Sequence, residues 1–92
     1  MSVNKISAQH ILVNERYMAE DIIKKLENGE SFDSLASDFS NCPSGTSGGN
    51  LGEFGKGMMV PPFEDAAFAL EVDQVSGPVR TQFGYHVIKR NA

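Results

Sequence analysis

Gln9-His10-Ile11-Leu12-Val13 near one end and Gly84-Tyr85-His86-Val87-Ile88-Lys89 near the other decide how this chain is read. Each is a short apolar run rich in β-branched residues with period-2 alternation, and each predicts a strand. Each also holds one of the chain's two histidines. In a chain of 92 residues two terminal strands have few places to go, and central pairing in one sheet is the commonest. That pairing would bring both imidazoles to one place. The Gly-rich stretch between the runs carries the only cysteine, Cys42, and could fold over them.

Working outward, the first strand is expected over Ile6 to Val13, with Ile6, Ala8, His10 and Leu12 on one face. Tyr17 to Asn28 predicts a helix, because Ala19, Ile22, Ile23 and Leu26 fall at i, i+3, i+4 and i+7. Glu20–Lys24 and Asp21–Lys25 are i,i+4 pairs on its wet side, and Gly29 is placed to stop it. Ser31 can cap a second helix whose apolar stripe is Phe32, Leu35, Ala36 and Phe39. Ser40 to Gly57 holds six of the nine glycines. Two linked domains do not fit in so short a chain, so this stretch reads as a structured loop with a short strand around Leu51 to Phe54.

Pro61 and Pro62 open a third helix, with Glu64 and Asp65 suiting the positive end of its dipole. Phe63, Ala66, Ala67 and Leu70 form its buried stripe. Val75 to Arg80 is expected as a strand, at an edge because Pro78 cannot donate to a ladder. Phe83 to Arg90 is the last strand, with His86 and Ile88 on one face and Phe83 on the other. The order β-α-α-β-α-β-β describes an α+β fold with an antiparallel sheet, one domain over residues 1–92.

The net charge of −4 argues against nucleic acid as a partner, since phosphate contacts need clustered Lys and Arg. It gives no reason to expect an anionic membrane surface either. No run approaches the roughly 18 apolar residues of a membrane span. The first strand begins close to Met1, so no signal peptide is expected. A single cysteine cannot form an internal disulfide, which fits a reducing compartment. The expectation is a cytoplasmic monomer.

The two histidines have two readings: strand residues each satisfied by a neighbour, or a functional pair, since imidazole is the usual acid–base and metal side chain near neutral pH. Cys42 lies in the turn sequence Asn41-Cys42-Pro43-Ser44-Gly45 and is either an idle loop thiol or a partner of the histidines. Two His and one Cys at such long separations match no zinc-ligand spacing, so neither a metal nor a cofactor is expected. Met58, Met59 and Phe63 flank the proline pair. They are core residues or the wall of an apolar pocket, which Leu51 and Phe83 could join.

The motifs taken together carry a resemblance. Gln9-His10-Ile11-Leu12-Val13, Cys42-Pro43-Ser44-Gly45 and Gly49-Asn50-Leu51-Gly52-Glu53-Phe54 appear in order. Gly57-Met58-Met59-Val60-Pro61-Pro62-Phe63-Glu64-Asp65-Ala66-Ala67-Phe68 follows, then Gly77-Pro78-Val79 and Thr81-Gln82-Phe83-Gly84-Tyr85-His86-Val87-Ile88. From about Ile6 to Arg90 the chain resembles the parvulin family of peptidyl-prolyl cis/trans isomerases, in its small prokaryotic form. The resemblance implies the parvulin, FKBP-like fold: a four-stranded antiparallel sheet flanked by helices. It implies a site in which His10 and His86 form a pair on adjacent central strands and Cys42 occupies a position that holds Cys or Asp. Leu51, Met59 and Phe63 would form the proline pocket, Thr81 would support the histidines, and Phe83 would widen the apolar wall. The implied partners are proline-containing polypeptides. Two other classes remain open on the residues alone: a chaperone-like module that holds chains without turnover, and a thiol hydrolase built on Cys42. No preference for phosphorylated Ser/Thr-Pro is expected, because the connection after the first strand, Asn14-Glu15-Arg16, has one basic residue beside an acidic one.

Overall fold

The computed structural model describes residues 5–42, 45 and 47–92. The elements are β1 (Lys5–Val13), α1 (Arg16–Glu27), α2 (Phe32–Phe39), β2 (Asn50–Gly55), α3 (Pro61–Ala69), β3 (Val79–Thr81) and β4 (Gly84–Arg90). The four strands form one sheet in the order β2-β1-β4-β3, and every neighbouring pair is antiparallel. The two histidine-bearing strands are therefore the central ones. Their register sets His10 opposite Ile88 and Leu12 opposite His86, which makes the histidines diagonal neighbours on one face.

Local chemistry fixes the helix ends. The Ser31 hydroxyl accepts the Ser34 N–H at 3.1 Å and caps α2. α1 stops at Gly29, whose φ of 97° takes the left-handed conformation that a side chain would strain. Its N–H donates to the Leu26 carbonyl at 3.0 Å and that of Glu30 to Lys25 at 3.1 Å, the paired bonds of a Schellman stop. α3 starts on Pro61 and Pro62, and the Glu64 carboxylate reaches back to the Gly57 N–H.

The sheet divides the apolar residues into two clusters. Ile11, Val13 and Val87 pack under α1 and α2 with Ala19, Ile22, Phe32, Leu35 and Ala36. Ile6, Ala8 and Ile88 pack under α3 with Phe54, Phe63, Ala67 and Leu70. Odd-numbered β1 residues from Ile11 face the first cluster and even-numbered ones face the second, as alternation requires.

Three expectations need correction. The strand expected over Val75 to Arg80 reduces to Val79–Thr81, with one isolated bridge from Val75 to Lys89. Between them Pro78 has no N–H, and the Ser76 hydroxyl accepts the Ile88 N–H at 3.0 Å in place of a ladder carbonyl. Phe83 does not lie in β4 opposite His86. Thr81 pairs with Gly84, so Gln82 and Phe83 form the hairpin turn, where strand alternation no longer applies. Phe39 is 44% exposed rather than part of the buried stripe, and the Lys25 ammonium lies 5.9 Å from its ring centre.

Candidate active site

The site is a groove of about 510 Å³ on the α3 side of the sheet, open where α3 stops covering the central strands. His10 and His86 form its floor and are 5% and 4% exposed. Their Nδ1 atoms are 2.9 Å apart and their rings stack at 18° with centroids 5.1 Å apart. Phe63 stands nearly perpendicular to both, its centroid 5.6 Å from His10 and 5.1 Å from His86. On the far side of His86, Nε2 lies 2.8 Å from the Thr81 hydroxyl, which also accepts the Phe83 N–H at 3.2 Å.

Burial holds the His10 imidazole below its usual range. Burial, reinforced by the neighbouring His10, pushes His86 down to about 4. Both rings are therefore neutral at pH 7. One proton bridges the two Nδ1 atoms, so the rings take opposite tautomers whichever of them donates. If Thr81 donates to His86 Nε2, His86 donates to His10; in the reverse order, His10 donates to His86 and His86 to Thr81.

The walls are almost wholly apolar. Leu51, Met59, Phe63 and Phe83 all line the groove. Leu51 is directed there by a bulge: Ala8 pairs with Gly52 and Gln9 with Asn50, leaving Leu51 as the extra residue on β2. Phe83, 58% exposed, forms part of the rim from the β3–β4 turn, as does the 68% exposed Met58 from the approach to α3. Cys42 lines the same groove, half-buried, and its N–H lies 3.3 Å from the Ser40 hydroxyl. The Gly45 N–H donates to the Cys42 carbonyl at 2.9 Å; Pro43 and Ser44, part of the expected turn, lie outside the described residues.

The rotamase family, described as the PPIC-type PPIase domain, matches residues 8–92. The chain belongs to this family. It is thus a peptidyl-prolyl isomerase domain, similar along its whole length to the solution structure of NmPin, the parvulin of Nitrosopumilus maritimus. That likeness has a TM-score of 0.90 and 50% identity and covers all of both chains. The crystal structure of PrsA from Bacillus anthracis superposes with a TM-score of 0.95 at 44% identity, over 97% of this chain and 42% of that one. The foldase protein PrsA of Geobacillus sp. (strain WCH70) is 55% identical over 86 residues, which are 92% of this chain and 31% of the relative. The chain thus spans about a third of the length of the curated relatives it matches.

The PPIase groove also contains Leu12, Asn41 and Val60, which the sequence reading did not assign to a site. Leu12 was recoverable, since it shares the His10 face by alternation. Asn41 had only its place beside Cys42 to mark it, and its amide donates to the Asn14 side chain at 3.0 Å. Among the described residues, no cluster of three His, Cys, Asp or Glu side chains is arranged to hold a metal ion.

Proposed function

We propose that the domain isomerises Xaa-Pro bonds in unfolded or flexible protein segments, acting as a foldase on substrates without phosphate. The observation that carries this reading is the groove itself: an apolar slot roomy enough to take a prolyl ring with its neighbours, floored by two neutral, mutually hydrogen-bonded histidines. Rotation about an Xaa-Pro bond faces a barrier of about 18–20 kcal/mol from amide resonance. A catalyst must therefore bind the twisted amide better than either planar form.

Leu51, Met59 and Phe63 hold the ring while the preceding carbonyl turns. The dry wall favours the twisted amide, which has lost its resonance and is less polar. Cys42, at the groove's edge, acts through its field or hydrogen bonding on that carbonyl and forms no covalent adduct. The histidines hold the site's geometry. With His86 titrating near 4, a cationic pair is not available to shuttle protons at neutral pH.

Phosphate specificity has no support in the rim. Among the described residues no Lys or Arg lines the groove, and Arg16, the first basic residue after β1, faces Glu20 at 3.9 Å. The exposed apolar rim of Met58 and Phe83 suits hydrophobic residues around the proline. The same reading takes the domain as a monomer in a reducing, cytoplasmic compartment, where a lone thiol at the groove stays reduced. Fractionation of cells expressing the full gene, with sedimentation of the purified chain, tests both points.

The activity test is exchange NMR on matched Leu-Pro, Ser-Pro and phosphoSer-Pro peptides with and without the protein. Accelerated exchange, fastest on Leu-Pro, is expected. Peptide binding with no acceleration would leave a chaperone-like holder, and an advantage for phosphoSer-Pro would reverse the substrate assignment.

A further inference from the structure

Gln9 is a buried polar residue that the chemistry above does not use. It stands on the opposite face of β1 from His10, under α2. Its side-chain amide donates to the Asp33 carboxylate at 2.5 Å and to the Gly48 carbonyl at 2.7 Å. Burying an amide is unfavourable unless its hydrogen bonds are made, and an apolar residue would fill the same place without that demand. The two bonds tie three segments together: β1, the first turn of α2, and the turn that leads from the Cys42 loop into β2.

That turn is tightly seated. Gly48 and Gly49 have φ of 72° and 77°. A Cβ on Gly49 would stand 2.2 Å from the His10 carbonyl oxygen, and one on Gly48 would stand 2.9 Å from the Asp33 carboxyl carbon. The Gly49 carbonyl accepts the His10 N–H at 2.9 Å. Both backbone polar groups of His10 are thus addressed at this edge of β1: the N–H is bonded to the turn, and the carbonyl is packed against it. Immediately after the turn, Leu51 leaves the β1–β2 ladder as a bulge and lines the groove. Where the turn sits therefore decides both the backbone under His10 and the wall facing it.

We infer that Gln9, through Asp33 and the Gly48 carbonyl, is a positioning residue: it clamps the Gly48–Gly49 turn against His10 and so sets the contact between His10 Nδ1 and His86 Nδ1. The inference rests on the isomerase reading for its kinetic consequence and not for its structural one. Gln9→Met keeps the length and loses both donors, so the turn keeps only its backbone bond to His10 and loses its side-chain ties to β1 and α2. Asp33→Ala removes one anchor from an exposed position on α2 and leaves the core intact. Asp33→Asn keeps an acceptor facing the Gln9 amide.

The experiment records imidazole 15N and 1H signals of His10 and His86 together with isomerisation rates by exchange NMR. For Gln9→Met, altered imidazole signals are expected, with about a tenfold loss of kcat/KM carried mainly by kcat, as small misplacements of catalytic groups cause. Asp33→Ala is expected to shift the same signals less, and Asp33→Asn to restore them. Should Gln9→Met fail to fold, Asp33→Ala alone decides. Unchanged imidazole signals in the folded variants, whatever the change in melting, would overturn the positioning role. A wild-type protein without isomerase activity would overturn the functional reading, while the imidazole signals would still test the clamp.

Discussion

The two faces of this sheet are built from the same strands and differ in how completely helices cover them. On one face α1 and α2, twelve and eight residues, supply about 18 and 12 Å of helix at 1.5 Å per residue. Together they bury Ile11, Val13 and Val87. On the other face α3 has nine residues and about 14 Å of helix, against a β1 of nine residues that runs about 30 Å. It covers Ile6, Ala8 and Ile88 and leaves the end with His10, Leu12 and His86 open. The difference teaches that the groove is the unfilled remainder of a core. Its histidines are buried by their own pairing and by Phe63, which belongs to the core and the groove at once.

The sharpest way to break this comparison is to truncate one large side chain on each face. Phe63→Ala removes a buried ring that touches Phe54 and both imidazoles, and should cost about 3–5 kcal/mol of stability and most of the turnover. Leu35→Ala, on the buried face of α2, should cost about 2–5 kcal/mol in urea melts while the folded protein keeps its kcat/KM. A Leu35→Ala protein that is stable enough to assay yet inactive would show that the faces are not separable.

The histidine pair comes next. His86→Ala leaves His10 and Thr81 without their shared partner and should cost about 1–3 kcal/mol together with activity. Acid should act on the same contact. The folded fold prefers neutral His86, whose pKa is lowered to about 4 from the usual 6.5. The stability from this group is therefore complete above about pH 6.5 and is lost as pH falls through about 4. Urea midpoints measured in steps from pH 7 to 4 should fall more steeply for the wild type than for His86→Ala. Parallel curves would mean that burial does not hold this imidazole neutral.

A smaller effect separates the roles of the thiol. Cys42→Asp should keep much of the activity and Cys42→Ala should lose more, since a field or a hydrogen bond survives the first change and not the second. Equal and complete loss would favour a nucleophilic thiol. The smallest change is expected for Met59→Ala, a half-buried groove residue whose loss should weaken peptide binding with little change in melting. Normal turnover at subsaturating peptide would remove Met59 from the wall.

Much of this architecture was written in local patterns that need no partner to be read. Alternation placed His10 with Leu12 and His86 with Ile88, the 3.6-residue spacing marked the buried faces of the helices, and Ser31, Gly29 and Pro61 marked helix ends. The motif series from Gln9 to Ile88 held His10, Cys42, Leu51, Met59, Phe63, Phe83 and His86, which line the groove, but did not single out Leu12, Asn41 or Val60 beside them. Tertiary structure decided what depends on two segments meeting. The register of β1 against β4 turned two histidines into a hydrogen-bonded pair, and burial, reinforced by the neighbouring His10, lowered the pKa of His86. The bulge at Leu51 and the turn at Phe83 directed side chains that alternation alone would have misplaced or left undecided. Nothing in the sequence singled out Gln9 for a role, because its partners, Asp33 and Gly48, lie 24 and 39 positions away. A hydrogen bond over such a separation leaves no period in the sequence; it exists only once the chain has closed around it.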